Sequence, residues 1–297
     1  MPIESIRSLA DLVSPSVVRL IIEHYLAKKD GKIVTFTIDM ANRLYAIART
    51  YVKAPEEQLR VLERFCLKLR PKRRRGLTEK NMAVIRAFKD PQNRARLRAL
   101  PGRLFDEALA ERDALVQAAV TAATALAIQI ELVAPMRLAN LAALHLEKNI
   151  IRVGGPEPTY HLVIPPKGVK NDVPLEYPLP KVLSEMLALY LAVFRPRLCR
   201  RDNHWLFPGE LGGYKTNGTL RSQIIDRIVD ELGIRVTPHQ FRHLAAALIL
   251  EKDPANYELV RRVLGHKNLQ TTINFYVGLE TVEAVRKFSA MVLEDED

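Results

Sequence analysis

Cysteine is scarce in this chain of 297 residues, which contains only Cys66 and Cys199, far apart in the sequence. Two such cysteines provide no disulfide framework, which favours a reducing, intracellular compartment, and we expect a cytoplasmic protein. Residues 1–14 have no apolar segment that could act as a secretory signal. The most apolar stretch, residues 114–136, is rich in alanine and interrupted by polar side chains. It therefore predicts a buried core helix and no membrane association.

Acidic residues are also in short supply: 34 Asp and Glu stand against 45 Lys and Arg, which gives a formal net charge of +11. This excess favours a polyanionic partner, and nucleic acid is the usual one, although a basic but otherwise ordinary soluble enzyme has the same signature. Apolar residues make up 48% of the chain, enough for a substantial core. The length suits two domains or one large one.

Proline and glycine divide the chain into two predicted domains. Residues 1–102 are typical of a helical domain, and Pro101-Gly102 predicts its end. The second domain, residues 103–297, is predicted to begin with a long helix over 106–133. Three short β-prone segments then predict a small antiparallel sheet, over residues 149–153, 160–164 and 173–177. The sequence thus predicts a mainly α protein whose C-terminal helical domain contains a three-stranded antiparallel sheet.

The densest positive charge lies between two predicted helices, one over residues 55–68 and one that ends at Phe88. Its members are Arg70, Lys72, Arg73, Arg74 and Arg75. The run could contact a phosphate backbone, form a solvated loop, or act as a localisation signal. We favour backbone contact, which predicts binding that weakens steeply with salt.

The last sixty residues contain the side chains that carry chemistry. His239-Gln240-Phe241-Arg242 comes first, Leu264-Gly265-His266 follows, and Tyr276 lies ten residues beyond His266. Imidazole, guanidinium and phenol make a poor metal site, although His239 and His243 are spaced as a metal pair could be. Together they suit a phosphodiester, because guanidinium groups bind two phosphate oxygens at once and a phenol can form a stable ester.

These residues resemble the motifs of the tyrosine recombinase (phage-integrase-like) family, over about residue 106 to the C-terminus. Arg137 matches the first catalytic arginine of the family, and Lys167 matches its hairpin lysine. His239 and Arg242 match its H-x-x-R box, His266 matches the next histidine, and Tyr276 falls at the position of the nucleophile. The order and approximate spacing agree throughout.

The resemblance implies site-specific cleavage and rejoining of DNA through a 3′-phosphotyrosyl intermediate. It implies that Arg137, Arg242 and His266 bind the scissile phosphate, that Tyr276 attacks it, and that Lys167 protonates the leaving 5′-oxygen. His239 is the expected proton acceptor. The ester conserves the bond energy, so we expect no metal, ATP or other cofactor. The implied partner is double-stranded DNA, clamped between the two domains, with a homo-tetramer acting on two sites and the amphipathic C-terminal helix, residues 280–293, docking on a neighbouring copy.

Other interpretations of the same residues remain open. Asn140 stands where the family often has an acidic residue, and the spacing from His266 to Tyr276 is one residue longer than the commonest one. Both differences are compatible with a DNA-binding protein that has lost catalysis, and a type IB topoisomerase-like enzyme would use the same chemistry.

Each residue also has a structural interpretation. Tyr276 could pack a helix end, Arg137 could cap a helix C-terminus, and His239 could be a buried histidine. Lys170 could replace Lys167 in the same loop, where it is also a candidate DNA contact.

Overall fold

The computed structural model describes residues 6–70, 76–111, 115–154, 159–166, 174–199 and 203–294. The chain divides into two compact units, Met1–Arg74 and Arg75–Asp297. The first unit contains helices, and the second contains helices and one small sheet. The predicted fold class is therefore confirmed.

Four helices and a π-helical turn form the described part of the first unit. They are α1 (Leu9–Leu12), α2 (Pro15–Ala27), α3 (Thr35–Ile47) with its π-helical continuation Ala48–Val52, and α4 (Glu56–Leu69). Pro15 occupies the first turn of α2, where its missing N–H leaves no bond unmade. The core of this unit consists of aliphatic side chains, among them Val13, Val18, Ile22, Leu44, Leu62 and Leu69.

The second unit contains the remaining helices. They are α5 (Glu79–Ala87), α6 (Pro91–Ala110), α7 (Leu115–Val133), α8 (Leu138–Ala142), α9 (Leu146–Asn149), α10 (Lys181–Leu189), α11 (Arg195–Leu198), α12 (Asn217–Leu232), α13 (Pro238–Lys252), α14 (Tyr257–Leu264), α15 (Leu269–Tyr276) and α16 (Leu279–Glu294). Within the described ranges α7 is the one helix long and apolar enough to cross a membrane, and 67% of its apolar window, Val116–Val133, is buried in the protein. It serves as the central core helix, as its composition predicts.

Helix α6 runs through Pro101, so the predicted break at Pro101-Gly102 is wrong. The long helix predicted over 106–133 is present over Leu115–Val133, but its predicted start is wrong, because residues 106–110 belong to α6. Four side chains of α6 are buried in the core shared with α7: Leu97, Leu100, Leu104 and Phe105. This burial outweighs the roughly 3 kcal/mol that an interior proline costs a helix.

Two ion pairs also attach α6 to other helices of the second unit. Arg94 Nη1 lies 3.0 Å from Glu251 Oε2 in α13, and Arg103 Nη2 lies 2.8 Å from Glu231 Oε2 in α12. Residues 76–102 therefore pack with the C-terminal helices. The compact units divide after Arg74, earlier than the boundary that the sequence predicts at 102.

The predicted sheet is present as three antiparallel strands in the order β1 (Ile150–Val153), β2 (Thr159–Ile164) and β3 (Leu175–Pro178). Leu162 of β2 pairs with Ile150 on one side and Tyr177 on the other. Leu162, Leu175 and Tyr177 are buried, so one face of the sheet covers the helical core. The Tyr177 hydroxyl donates to the carbonyl of Val263 at 2.8 Å, which fixes β3 against α14.

Candidate active site

Arg242 joins three parts of the second unit. It lies in the second turn of α13, and only 3% of it is exposed. Nη1 donates to the carbonyl of Pro135 at 2.6 Å, just before α8, and Nη2 donates to the carbonyl of Leu264 at 2.7 Å, at the end of α14. Guanidinium groups stay charged when buried. The site is therefore built around a fixed positive charge whose two terminal nitrogens already have partners.

Arg137 immediately precedes α8, in the N-cap position, and is half-buried. It does not cap a helix C-terminus. Its charge contributes to lowering the pKa of both His239 and His266, which places it on the same site as those rings. Among the residues that the structure describes, none accepts a hydrogen bond from its guanidinium, which leaves the group available to an anion.

His239 projects from the first turn of α13, where Thr237 and Gln240 form a capping box and Pro238 occupies the first turn. The residue is exposed, so the buried-histidine interpretation is wrong. Partial desolvation, and then the charges of Arg242 and Arg137, lower the pKa of His239 below its ordinary value. The ring is neutral at neutral pH and can accept a proton.

Gly265 sets the position of His266. It ends α14 with φ +60°, a conformation that favours glycine. A Cβ on this residue would lie 2.6 Å from Cδ2 of Leu175 in β3. The turn therefore requires glycine both for its backbone and for its contact with the sheet.

The His266 ring is held from both sides. Nδ1 lies 2.9 Å from Thr272 Oγ1, and Nε2 makes a long contact of 3.4 Å with Nη2 of Arg242. Because a guanidinium only donates, Nε2 faces it as the acceptor, and Nδ1 carries the proton. Burial, followed by the charges of Arg242 and Arg137, lowers the pKa of His266 to about 4.

Tyr276 is the last residue of α15 and lies beside these groups. Its ring is within 8° of parallel to the His266 ring, with centroids 6.4 Å apart, and its hydroxyl lies 3.2 Å from Nδ1 of His243. Only 2% of the residue is exposed, and it packs in the small cluster of Ala246, Leu250, Val260 and Leu264. Burial raises the pKa of Tyr276 to about 12, although the charge of Arg242 opposes the shift.

The spacing from His266 to Tyr276 is accommodated by the connection between the helices. Asn268, three residues after Gly265, caps α15 by accepting from the Gln270 N–H, so the helix starts at Leu269. The phenol thereby returns to the face of His266 despite the added residue. The ring both packs at a helix end and lies next to the candidate catalytic groups.

A comparison with known protein families agrees with this geometry. The sequence model of the phage integrase family matches residues 108–282. This chain belongs to the phage integrase family. The family that the residues of the C-terminal half resemble is thus confirmed.

Curated relatives of this phage integrase family member are tyrosine recombinases. XerA of Thermococcus kodakarensis is 32% identical over 124 residues, and XerA of Thermococcus onnurineus is 32% identical over 123 residues. Each alignment covers 41% of this chain and 40% of the relative, so it spans less than half the relative's length. A crystal structure of the XerH site-specific recombinase bound to palindromic difH substrate, a post-cleavage complex, has a similar fold. Its TM-score is 0.50 at 17% identity, over 94% of this chain and 79% of that one.

Part of the predicted site lies outside the described residues of this integrase-family chain. These are Lys167, Lys170, Lys72, Arg73, Arg74 and Arg75. Arg70 is described, and it is exposed directly after α4 in the first unit.

Three buried polar groups around the site were not predicted as functional. His243, which the sequence offered only as half of a possible metal pair, contacts the Tyr276 hydroxyl. Asn140 has a buried Nδ2 without a hydrogen-bond partner in the described residues, and its backbone N–H donates to the Arg137 carbonyl at 2.8 Å. Glu131 of α7 is 1% exposed, and within the described part of the chain neither of its carboxyl oxygens has a hydrogen-bond partner. The one feature of the sequence that could have indicated a buried Glu131 is its position after Ile130, within an apolar helix.

Proposed function

We propose that this protein cleaves and rejoins DNA strands at specific sites through a 3′-phosphotyrosyl intermediate. The observation that carries the proposal is the meeting of Tyr276, His266 and Arg242, where one imidazole contacts both the phenol ring and the guanidinium. A phenol beside a fixed cation suits attack on a phosphodiester, because the developing negative charge is stabilised where it forms.

The roles of the described groups follow from their charge and exposure, and that of Lys167, outside the described residues, follows from the family motif. Arg137 and Arg242 bind the non-bridging oxygens of the scissile phosphate, and His266 contributes a further contact. His239, neutral and exposed, accepts the proton of Tyr276 as the phenol attacks phosphorus. Lys167 then protonates the leaving 5′-oxygen. The phosphotyrosyl ester retains the bond energy, so rejoining uses the 5′-hydroxyl of a partner strand without ATP or a metal ion.

The described conformation corresponds to a resting site. The Tyr276 hydroxyl is buried and its pKa is about 12, so the phenol is a poor nucleophile as it stands. Arg242 is engaged with two carbonyl oxygens. We infer that DNA binding uncovers the Tyr276 hydroxyl where it stands and brings a phosphate held by Arg137 within its reach.

A nicked suicide substrate tests the proposal, because cleavage releases a short fragment and traps the enzyme on the DNA. The probe is a pool of nicked duplexes whose central base pairs are randomised. The unmodified chain should form an adduct that survives SDS, and Tyr276→Phe should form none. The control Tyr214→Phe changes a partly exposed tyrosine outside the site and should form the adduct normally.

The outcomes separate the candidate functions. An adduct in Tyr276→Phe would exclude this residue as the nucleophile. If the unmodified chain binds the pool and never forms an adduct, the protein is the DNA-binding module that Asn140 and the longer spacing suggested. Relaxation of a supercoiled plasmid that carries one recovered site, without joining of two sites, would identify the topoisomerase-like alternative.

We propose that the protein assembles head to tail on DNA as a homo-tetramer through α16. Five apolar side chains of this helix are exposed: Val285, Phe288, Met291, Val292 and Leu293. A groove of about 1220 Å³ lies beside α5, α6, α13, α14 and the chain's own α16, and its wall includes Met82, Phe88, Leu244, Leu248 and Leu259. Such a heterologous contact generates a ring if its rotation closes. The helix of one copy has the apolar face that the groove of the next would accept.

Phe288→Ser should abolish assembly on DNA, because it removes the largest exposed apolar side chain of α16. Light scattering of complexes with a duplex site should show a tetramer for the unmodified chain and a monomer or dimer for the variant. Ser289→Ala, on the same helix, is the control and should leave the tetramer intact. Tetramers of Phe288→Ser with unchanged stability would contradict this role of α16.

A further inference from the structure

His243 lies between the candidate nucleophile and a polar residue of α5. It is 3% exposed, its Nδ1 lies 3.2 Å from the Tyr276 hydroxyl, and its Nε2 lies 3.1 Å from Nδ2 of Asn81. It also packs edge-to-face against His239, with ring centroids 4.7 Å apart. A buried imidazole with a partner at each nitrogen has one fixed orientation and one favoured tautomer.

The tautomer follows from a chain of hydrogen bonds that starts at a backbone group. The Thr237 N–H can only donate, so it fixes Oε1 of Gln240 as its acceptor at 2.8 Å. Gln240 Nε2 then donates to Oδ1 of Asn81 at 3.3 Å, which turns Nδ2 of Asn81 toward His243. An amide nitrogen donates, so Nε2 of His243 accepts and Nδ1 carries the hydrogen that faces Tyr276.

We propose that His243 positions the Tyr276 hydroxyl by donating Nδ1–H to its oxygen, and that Asn81 fixes the tautomer that makes this possible. The proposal deepens the proposed function, on which its catalytic part rests. In this arrangement His243 does not accept the proton of Tyr276, which leaves toward His239. It stabilises the phenolate oxygen as that proton departs, as a preorganised donor does at any developing oxyanion.

The protonation behaviour of the ring agrees with this arrangement. Burial, followed by the neighbouring His239 and the charge of Arg242, lowers the pKa of His243 to about 4. The ring therefore stays neutral at neutral pH and can keep both an accepting and a donating nitrogen.

The residue that fixes the tautomer lies outside the segment that the family model matches, residues 108–282. Asn81 belongs to the stretch that follows the basic run, and a second contact joins the same stretch to α15. The Gly76 N–H donates to the carbonyl of Asn274 at 2.8 Å, two residues before Tyr276. Residues 76–81 thus support both the helix that carries the nucleophile and the histidine that holds it.

The tautomer can be measured without any DNA. Two-bond ¹H–¹⁵N correlation spectra of the full chain, assigned with His243→Phe, should show His243 protonated at Nδ1 and unprotonated at Nε2 near neutral pH. Asn81→Asp replaces the donor with a carboxylate and should place a proton on Nε2. The control Asn93→Asp changes a partly buried asparagine that donates to the Ala87 carbonyl, and it should leave His243 unaltered. A neutral Nε2–H tautomer in the unmodified chain would overturn the proposal, as would an Asn81→Asp spectrum that is unchanged.

The catalytic part is tested by single-turnover cleavage of the randomised nicked duplexes over a range of pH. His243→Phe should slow cleavage by about 10²–10³-fold near neutral pH, the effect of removing one oxyanion donor. Its rate should rise further with pH than that of the unmodified chain, because its phenol is harder to ionise. His243→Asn, whose amide nitrogen can take the place of Nδ1, should restore part of the rate, and DNA affinity should be unchanged in both variants.

A matched substitution and the tautomer measurement separate the possible failures. His204→Phe replaces an exposed histidine that stacks on His145, outside the site, and should cleave normally. If His243→Phe cleaves with the rate and pH profile of the unmodified chain, His243 only fills space and the proposal fails. If the unmodified chain forms no adduct, the proposed function fails, and the ¹⁵N spectra still decide how Tyr276 is held.

Discussion

At the scale of single residues, the second unit contains a buried carboxylic acid, Glu131. Its carboxyl is buried, neither oxygen has a hydrogen-bond partner among the described residues, and burial raises its pKa well above the ordinary value against the opposing charge of Arg242. A raised native pKa means that the folded state holds the proton more tightly. The contribution to stability is therefore full below the unfolded pKa of about 4.3 and is lost as pH rises through the native pKa.

Glu131→Gln should remove this pH dependence while keeping the shape of the side chain. We expect the free energy of unfolding of the unmodified chain to fall, relative to the variant, by up to about 1.4 kcal/mol for each pH unit between the two pKa values. Urea unfolding at a series of pH values measures the difference. Glu185→Gln, on the exposed surface of α10, is the control and should track the unmodified chain. If the free energies of unfolding of Glu131→Gln and of the unmodified chain change in parallel with pH, the carboxyl is not protonated in the folded state.

The sequence predicted some residues of the candidate site and could not predict others. Arg242, His266 and Tyr276 were accessible because they are close along the chain and each side chain has an obvious use in phosphate chemistry. The contact between His243 and Asn81 spans 162 positions, and no local pattern encodes it. The roles assigned to Arg137, Lys167 and the other site residues stay predictions until cleavage is measured.

Gly265 controls how α14 meets β3 and therefore belongs to the scale of elements. Gly265→Ala should destabilise the protein through the positive φ and through the close approach of its Cβ to Leu175. Gly233→Ala is the matched control, because its φ is +71° and nothing lies within 4 Å of the added Cβ.

We expect Gly233→Ala to destabilise the protein by about 1 kcal/mol, through the backbone alone. Gly265→Ala should cost about 1–3 kcal/mol more, through overpacking. Chemical denaturation of both variants gives the difference. Shortening Leu175 in the double variant Gly265→Ala/Leu175→Ala should remove the share of the destabilisation that comes from overpacking. Equal destabilisation in the two single variants would mean that Leu175 moves aside freely.

The helix ends show where local sequence was sufficient. Thr237-Pro238 and Asn256 begin α13 and α14, as these residue types favour, since capping depends on residues a few positions apart. The break at Pro101 was wrong because helix α6 is held by apolar contacts with α7 and by ion pairs with α12 and α13. The ion-pair partners lie far along the chain, and together with the packing on α7 they override the local preference of proline.

Net charge acts at the scale of the whole molecule. Replacing Lys72, Arg73, Arg74 and Arg75 by glutamine should weaken DNA binding and flatten its salt dependence. The slope of log affinity against log salt should decrease in magnitude by about 0.9 for each phosphate that the protein no longer neutralises. Fluorescence anisotropy at several salt concentrations measures the slope. Arg19→Gln with Arg60→Gln, exposed on α2 and α4, is the control, and an unaltered slope in the fourfold variant would identify the run as a solvated loop.

The overall architecture was the most predictable part. The spacing of apolar residues and the positions of turn residues are enough to predict a mainly helical chain with one small sheet. The boundary between the two units was less predictable from the sequence. The basic run and the Pro-Gly pair are both plausible boundaries, and the choice between them depends on α6, whose ion-pair partners lie more than a hundred residues away.

Tyr276 is buried, whereas Tyr51 is 77% exposed, so the two phenols differ in their accessibility to small solutes. A small tyrosine-modifying reagent in the medium would mark Tyr51 first and leave the residue proposed to join DNA untouched. An enclosed phenol is thereby shielded from stray electrophiles, and it meets an electrophilic phosphorus only after a duplex has opened the way.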